Sequence, residues 1–269
     1  MSRAREAPLP AKPRTNYARI SADYDADRDE YISFDHQLAE VLLEALERSS
    51  AAGCPARLLD VGCGTGTVLG RIEAQLEESW IWSLFGVDAC EAMLQVARGK
   101  VFNAGFAVGP AEALPFRGGS VGCLISTFAF HHFQSLDAFL DEAWRVLAPG
   151  GSLVLRNILP RDGAEPLMYH FFDGAREVDQ RRFPLLAEVL EALARHGLAL
   201  ERHVRLENEH RFSPERYTEL CRKRTISQLD LILDQSFRRG LAAIAEFGRE
   251  HPGEPLIERI PVHTFLARR

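Results

Sequence analysis

The sequence is poor in the features that mark several protein classes. Its five cysteines, Cys54, Cys63, Cys90, Cys123 and Cys221, are odd in number and scattered, with no Cys-x-x-Cys pair. That pattern argues against a disulfide framework or a thiolate zinc site, and it makes a reducing cytoplasm the expected location. No run of about 18 apolar residues occurs, so no membrane-spanning helix is expected. The opening residues, MSRAREAPLPAKPRTN, carry basic side chains without an apolar stretch; residues 1–16 are expected to be a mobile tail, not a secretory leader. A basic excess is missing too. Lys and Arg total 32 against 38 Asp and Glu, a net charge of −6, which provides no chain-wide field for nucleic acid. The nine histidines form no ligand spacing with Asp, Glu or Cys, so no metal is expected.

What is present is an ordinary globular composition, 46% hydrophobic and 26% charged over 269 residues. Apolar residues at helical spacing predict a helix over 34–48, with Ser33 as its cap. ARLLDV (56–61) then reads as a buried strand running into glycines. Helices over 66–77, 90–99 and 136–147 alternate with strands over 80–88, 101–108, 120–127 and 152–158. That alternation argues for an α/β fold with a parallel sheet. The last third predicts a helix over 185–196, a strand over 198–206, helices over 214–223 and 227–247, and a final strand over 260–268.

The sharpest signal is LLDVGCGTG. Glycines at 62, 64 and 66, between a strand and a helix, allow a tight turn and a close ligand approach to the main chain. Position 67 is Thr, so the G-x-G-x-x-G dinucleotide fingerprint is incomplete, and no Lys-Ser/Thr follows to make a phosphate-cradling Walker loop. Asp88 ends the next strand, 22 residues after Gly66. A carboxylate there can accept both hydroxyls of a ribose. A nucleoside-bearing ligand suits this pair. An NAD(P)-dependent oxidoreductase and a non-catalytic nucleoside-binding regulatory module stay open as alternatives at this point.

LLDVGCGTG, GVDACEAML, AEALPF and RVLAPGGSLVL, in that order between about 56 and 158, resemble the class I S-adenosylmethionine-dependent methyltransferases. The similar subgroup is the one that includes the ubiquinone and menaquinone biosynthesis enzymes. The resemblance implies a Rossmann-like, seven-stranded, mostly parallel sheet with helices on both faces and a reversed C-terminal strand pair. It implies a single domain over 17–269, with an N-terminal helical lid (17–52), a donor-binding half (56–158) and an acceptor-side half (159–269). The implied cofactor is S-adenosyl-L-methionine, leaving as S-adenosyl-L-homocysteine, and the implied partner is a small-molecule acceptor methylated on O, N or C. Asp60, Gly62, Cys63, Gly64 and Gly66 would hold the methionine part, Asp88 the ribose, and Ala89 and Met93 the adenine faces. Ala111 and Glu112 would meet the adenine edge, with Tyr24 and Ser126 completing the set. Two positions depart from the family pattern, Pro110 where an Asp is common and Gly122 where the fourth strand usually opens with Asp.

The loop after the fourth strand, STFAFHHF (126–133), should face the reaction centre. His131, and after it His132, are the candidate bases there. Tyr17, Tyr24 and Tyr31 recur at intervals of seven and would share one helix face as a lid. Met168, Tyr169, Phe171 and Phe172 mark an aromatic wall for the acceptor or for the core. Arg181 and Arg182 read as a solvated basic run or an anion site. No Asn/Asp-Pro-Pro-aromatic motif and no Pro-Cys nucleophile motif follows the fourth strand, which argues against methylation of nucleic-acid amino groups or of cytosine C5.

Overall fold

The computed structural model describes residues 15–21, 24–25, 35–75 and 81–269. Most of the expected tail, Tyr31, the Ser33 cap and Trp80 lie outside the described residues. Seven strands form one sheet: β1 (Arg57–Val61), β2 (Ser83–Asp88), β3 (Ala104–Val108), β4 (Val121–Thr127), β5 (Leu147–Ile158), β6 (Ala199–Phe212) and β7 (Leu256–Arg268), in the order β3-β2-β1-β4-β5-β7-β6. The first five run parallel. The terminal pair is antiparallel, with β7 running against both β5 and β6. Reversal of strand order between β1 and β4 opens a crevice at their carboxyl ends, the place where open α/β sheets bind ligands.

Helices cover both faces because strands this apolar must be buried on both sides. Tyr17–Ile20 forms a short α1, followed by α2 (His36–Ala51), α3 (Thr67–Glu73), α4 (Glu91–Arg98) and α5 (Leu136–Val146). The expected stripe Leu38, Val41, Leu42, Ala45 and Leu46 is the buried face of α2. Its cap is Asp35, whose side chain accepts the Leu38 N–H at 2.8 Å. One core layer joins Leu59, Val61 and Leu124 to Phe139 and Leu140 of α5. The opposite layer joins Leu58, Leu84 and Ile125 to α2, α3 and α4.

The C-terminal half departs most from the sequence reading. Residues 159–182 contain two short helices, α6 (Met168–Phe171) and α7 (Ala175–Arg182), ahead of α8 (Leu186–Arg195) and α9 (Pro214–Arg222). The helix expected over 227–247 begins only at Asp234 and runs to Glu250, as α10. Leu229 and Ile232 mimic helical spacing but are buried from a turn, in a third core cluster with Phe172 and Tyr217. Strands β6 and β7 pair as far as Phe212 and Leu256, beyond the Ile158–Val262 limit of the β5 pairing. They therefore project as a two-stranded arm past the sheet.

The Gly122 departure is explained by packing. A Cβ there would lie 2.2 Å from the Pro55 carbonyl oxygen and 3.0 Å from the Trp82 ring. Gly122 also sits at the amino end of β4, whereas the crevice opens at the carboxyl end. Gly122→Ala is expected to lower stability by about 1–3 kcal/mol through overpacking. Chemical denaturation measures this, and ligand affinity of the folded fraction should not change.

Candidate functional site

A cavity of about 420 Å³ occupies the crevice, within the roughly 300–1,000 Å³ typical of small-molecule sites. Its floor is the turn after β1. Gly62 and Gly64 have φ of 74° and 53°, left-handed backbone that disfavours other residues. A Cβ on Gly62 would also come within 2.5 Å of the Ala129 Cβ. The turn is fastened to β2, since Gly62 N–H and Cys63 N–H both donate to Val87 O, at 2.8 and 3.1 Å.

Asp88 stands at the carboxyl end of β2 and faces the cavity. One carboxylate oxygen accepts Gly64 N–H and the other accepts Cys90 N–H, each at 2.8 Å. A carboxylate has about four acceptor sites, so both oxygens keep capacity for a vicinal diol. Burial pushes its pKa up, and these backbone donors oppose the rise.

Asp60 is placed differently from the expectation. It is 1% exposed and lies behind the turn, off the cavity wall, and both carboxylate oxygens lack a hydrogen-bond partner. Burial, with the Asp88 charge adding to it, raises its pKa to about 8. Gly66 and Ser126 also lie off the wall; Ser126 is fully buried and its hydroxyl has no partner. The remaining expected donor residues line the cavity: Tyr24, Gly62, Cys63, Gly64, Ala89, Met93, Ala111 and Glu112. Burial pushes the Cys63 thiol well up, which leaves it an inert packing group. One Glu112 oxygen accepts Gln134 N–H at 2.6 Å and Ser135 N–H at 3.3 Å, so this acid braces the loop leading into α5.

The N-terminal segment closes one side. Tyr17 and Tyr24 both line the cavity and meet edge to face, centroids 5.8 Å apart. They do not share one helix, because α1 ends at Ile20. Tyr24 instead packs with Ile20 and Met93. Asp25 accepts the Thr65 and Thr67 hydroxyls, at 2.6 and 3.1 Å, and pairs with Lys100 at 2.7 Å. At its other end, the segment donates Asn16 N–H to Asp230 at 2.8 Å.

The two histidines diverge. His132 lines the large cavity, whereas His131 faces a second, smaller one. Arg182 lies 2.8 Å from His132 Nδ1. The same Arg182 nitrogen lies 3.3 Å from Nε2, so the guanidinium sits against the ring, and Nε2 is hydrogen-bonded to the Tyr17 hydroxyl. Asn157 fixes His131. Its Oδ1 accepts Ile158 N–H and its Nδ2 donates to His131 Nδ1, both at 3.0 Å. Asn157 thus engages Nδ1 of His131, while the His132 ring lies between Tyr17 and Arg182. Arg182 and Tyr17 are the functional residues the sequence reading underrated. Arg182 is 1% exposed, far from a solvated run, and also donates to Ser227 Oγ at 3.0 Å.

The fold and this site define an α/β protein whose glycine turn and strand-end acid border one cavity at the sheet's switch point. Residues 59–155 match the family model described as a methyltransferase domain. A malonyl-(acyl-carrier protein) O-methyltransferase of Hahella chejuensis is 33% identical over 158 residues, 58% of this chain and 55% of that protein. The demethylmenaquinone methyltransferase of Thermus thermophilus is 33% identical over 123 residues, 44% of this chain and 54% of that one. The chain spans about half the length of the curated relatives it matches. A S-adenosylmethionine-dependent methyltransferase from Aquifex aeolicus superposes with TM-score 0.54 at 22% identity, over 71% of this chain and 93% of that one. The cyclase SpnF superposes with TM-score 0.57 at 18% identity, over 98% and 99%. Over the part of the chain that they match, these comparisons support a class I S-adenosylmethionine-dependent methyltransferase similar to the quinone-biosynthesis enzymes. Among the described residues no helix is long and apolar enough to cross a membrane, and no cluster of metal-ligating side chains occurs.

Asp60 yields a stability test. Its pKa is raised on folding, so its contribution is fully present below about pH 4 and lost as pH rises through about 8. Asn in its place has no such charge to bury. The melting temperature of Asp60→Asn, relative to the parent, should rise steadily between those pH values. A constant difference would show that Asp60 is not held neutral in the fold.

Proposed function

We propose that this protein transfers the methyl group of S-adenosylmethionine to a small-molecule acceptor. The observation that carries the reading is the pairing of the glycine turn with Asp88, whose carboxylate faces the cavity with acceptor capacity to spare. When bound, the donor supplies an electrophilic methyl group on a sulfonium, and the protein's task is alignment and exclusion of water. In this reading Asp88 holds the ribose hydroxyls. Met93 and Ala89 take the adenine faces, and the main chain of 109–112 takes its edge in place of the usual Asp side chain. Gly62–Gly64 border the methionine part, with the orphaned Asp60 carboxyl directly behind them. Tyr24 and Tyr17 cover the site.

Proton handling falls to Tyr17, with His132 beside it. Tyr17 lines the cavity, its hydroxyl is hydrogen-bonded to His132 Nε2, and the Arg182 charge lies close by. Tyr17 Oη is therefore the group that takes the acceptor's proton where one must leave. His132 and Arg182 position it. The printed names of the relatives span O-methylation of a malonyl carrier protein and C-methylation in quinone biosynthesis, so likeness to them selects no acceptor atom.

Titration calorimetry with S-adenosylmethionine, S-adenosylhomocysteine and NADH tests the donor. Both sulfur nucleosides should bind and NADH should not; the reverse would make the protein an oxidoreductase. Asp88→Ala should weaken both nucleosides by about 10–100-fold, the loss of hydrogen bonds to a charged group. Unchanged affinity would remove Asp88 from the ribose site. With an acceptor that must lose a proton, Tyr17→Phe should lower kcat and leave the donor Kd within about twofold.

A further inference from the structure

Beside the donor cavity lies the second one, of about 100 Å³, under the arm formed by β6 and β7. Phe128 lines both. Its φ of 51° is left-handed, a conformation costly to a residue with a Cβ. It is held there by its N–H bond to Arg156 O at 2.7 Å. Strained backbone at the partition between two cavities, next to the strand end where transfer chemistry is expected, marks the boundary as a functional feature.

We propose that this second cavity receives the acceptor and selects an uncharged, ring-sized hydroxyl compound of the phenol class; this rests on the methyl-transfer reading above. Three observations lead there. The first is size, which is of the order of the ~150 Å³ cavity that takes a benzene ring. The second is shape. His131 and Phe183 stack at 4.1 Å with planes 12° apart, giving an aromatic wall opposite the aliphatic Ile226, Ile260 and Val262.

The third is charge. Asn157, Asn208, Thr225, Ser227 and Gln228 supply neutral donors and acceptors; the lining holds two histidines, His131 and His210, and no Asp, Glu, Lys or Arg. Two opposite charges stand behind the rim. Arg182 contacts Ser227 at 3.0 Å, and Asp179 contacts Gln228 at 3.0 Å. A carboxylate or phosphate would need a facing guanidinium or ammonium, and an amine a facing carboxylate. An uncharged phenol needs neither. Its hydroxyl proton must leave for O-methylation: in this scheme a Tyr17 phenolate, which has first given its own proton to solvent, receives it, while the phenol oxygen forms the new bond to the methyl carbon and the sulfonium sulfur keeps the electrons of the bond that breaks.

The test uses the full chain and three ring probes of equal shape: phenol, benzoate and benzylamine. Ligand-observed NMR and calorimetric titration should show phenol bound, with benzoate and benzylamine at least about tenfold weaker, because an ionised group would be buried without a partner. Ile226→Trp fills the cavity and should abolish the phenol signal while S-adenosylhomocysteine still binds. Ile226→Lys, at a half-buried position that tolerates a long side chain, should bring benzoate up to or past phenol. Equal binding of benzoate and phenol by the parent protein, or phenol binding that survives Ile226→Trp, would overturn the assignment. Absence of ring binding while S-adenosylhomocysteine binds would overturn it and leave the donor reading standing. Phenol binding without either sulfur nucleoside would keep the ring site and overturn the donor reading.

Discussion

The arrangement depends on a close approach between two turns, the one after β1 and the one after β4. A Cβ on Gly62 would sit 2.5 Å from the Ala129 Cβ, so the turns touch only because position 62 lacks one. That contact lies where strand order reverses, and it sets the floor of the donor cavity. The turn after β1 is then hung from β2 by Val87 O and locked by the Asp88 carboxylate on Gly64 N–H. One acid thus organises the turn and faces the ligand space. The turn after β4 continues into Phe128, His131 and His132, so the same contact also fixes the partition between the two cavities.

Buried polar groups concentrate at this carboxyl edge of the sheet, where they cost the most and do the most. Asp60 is held neutral by burial, with no partner for either oxygen. Arg156, 1% exposed, is paired with the Asp35 cap of α2, donates to Thr264 at 3.1 Å and lies over the Phe128 ring at 5.9 Å. Arg182 and Asp179 are both 1% exposed, and burial pushes Asp179 up to about 6. Apolar replacements would pack these positions with less desolvation cost. Their presence together around two cavities is what a site looks like when polar placement outweighs stability.

The donor half was legible in the sequence because its signals are local. A buried strand, alternate glycines and a strand-end acid each lie within a few residues, and the fold sets them at one edge. Gly122 shows the limit of reading by pattern: a departure from the family pattern is a packing necessity against Pro55 and Trp82. The acceptor half was less legible because its contacts are long in sequence. Arg182 reaches His132 across 50 residues and Tyr17 reaches it across 115. In composition Arg182 is one of a basic pair; only the fold buries it. The histidines share the loop after β4 but face different cavities, and their partners Arg182 and Asn157 are long-range contacts that no spacing encodes.

A fold shared with a cyclase as well as with methyltransferases cannot carry the activity by itself. What separates the possibilities is the division of labour between the two halves. The donor cavity is built from main chain, glycine and one acid, groups that would serve any adenosine-bearing sulfonium. The second cavity is built from side chains of the loop after β4, of β5, α6 and α9, of the β6–β7 arm and of the 225–228 turn. Its lining has no Asp, Glu, Lys or Arg, so it contributes shape and hydrogen bonding. In the proposed scheme reactivity would come from the bound donor and from Tyr17 beside His132 and Arg182, and selectivity from the wall of the second cavity. A protein so divided can change its acceptor by altering the arm and the 225–228 turn without disturbing the contact between Gly62 and Ala129 on which its donor site rests.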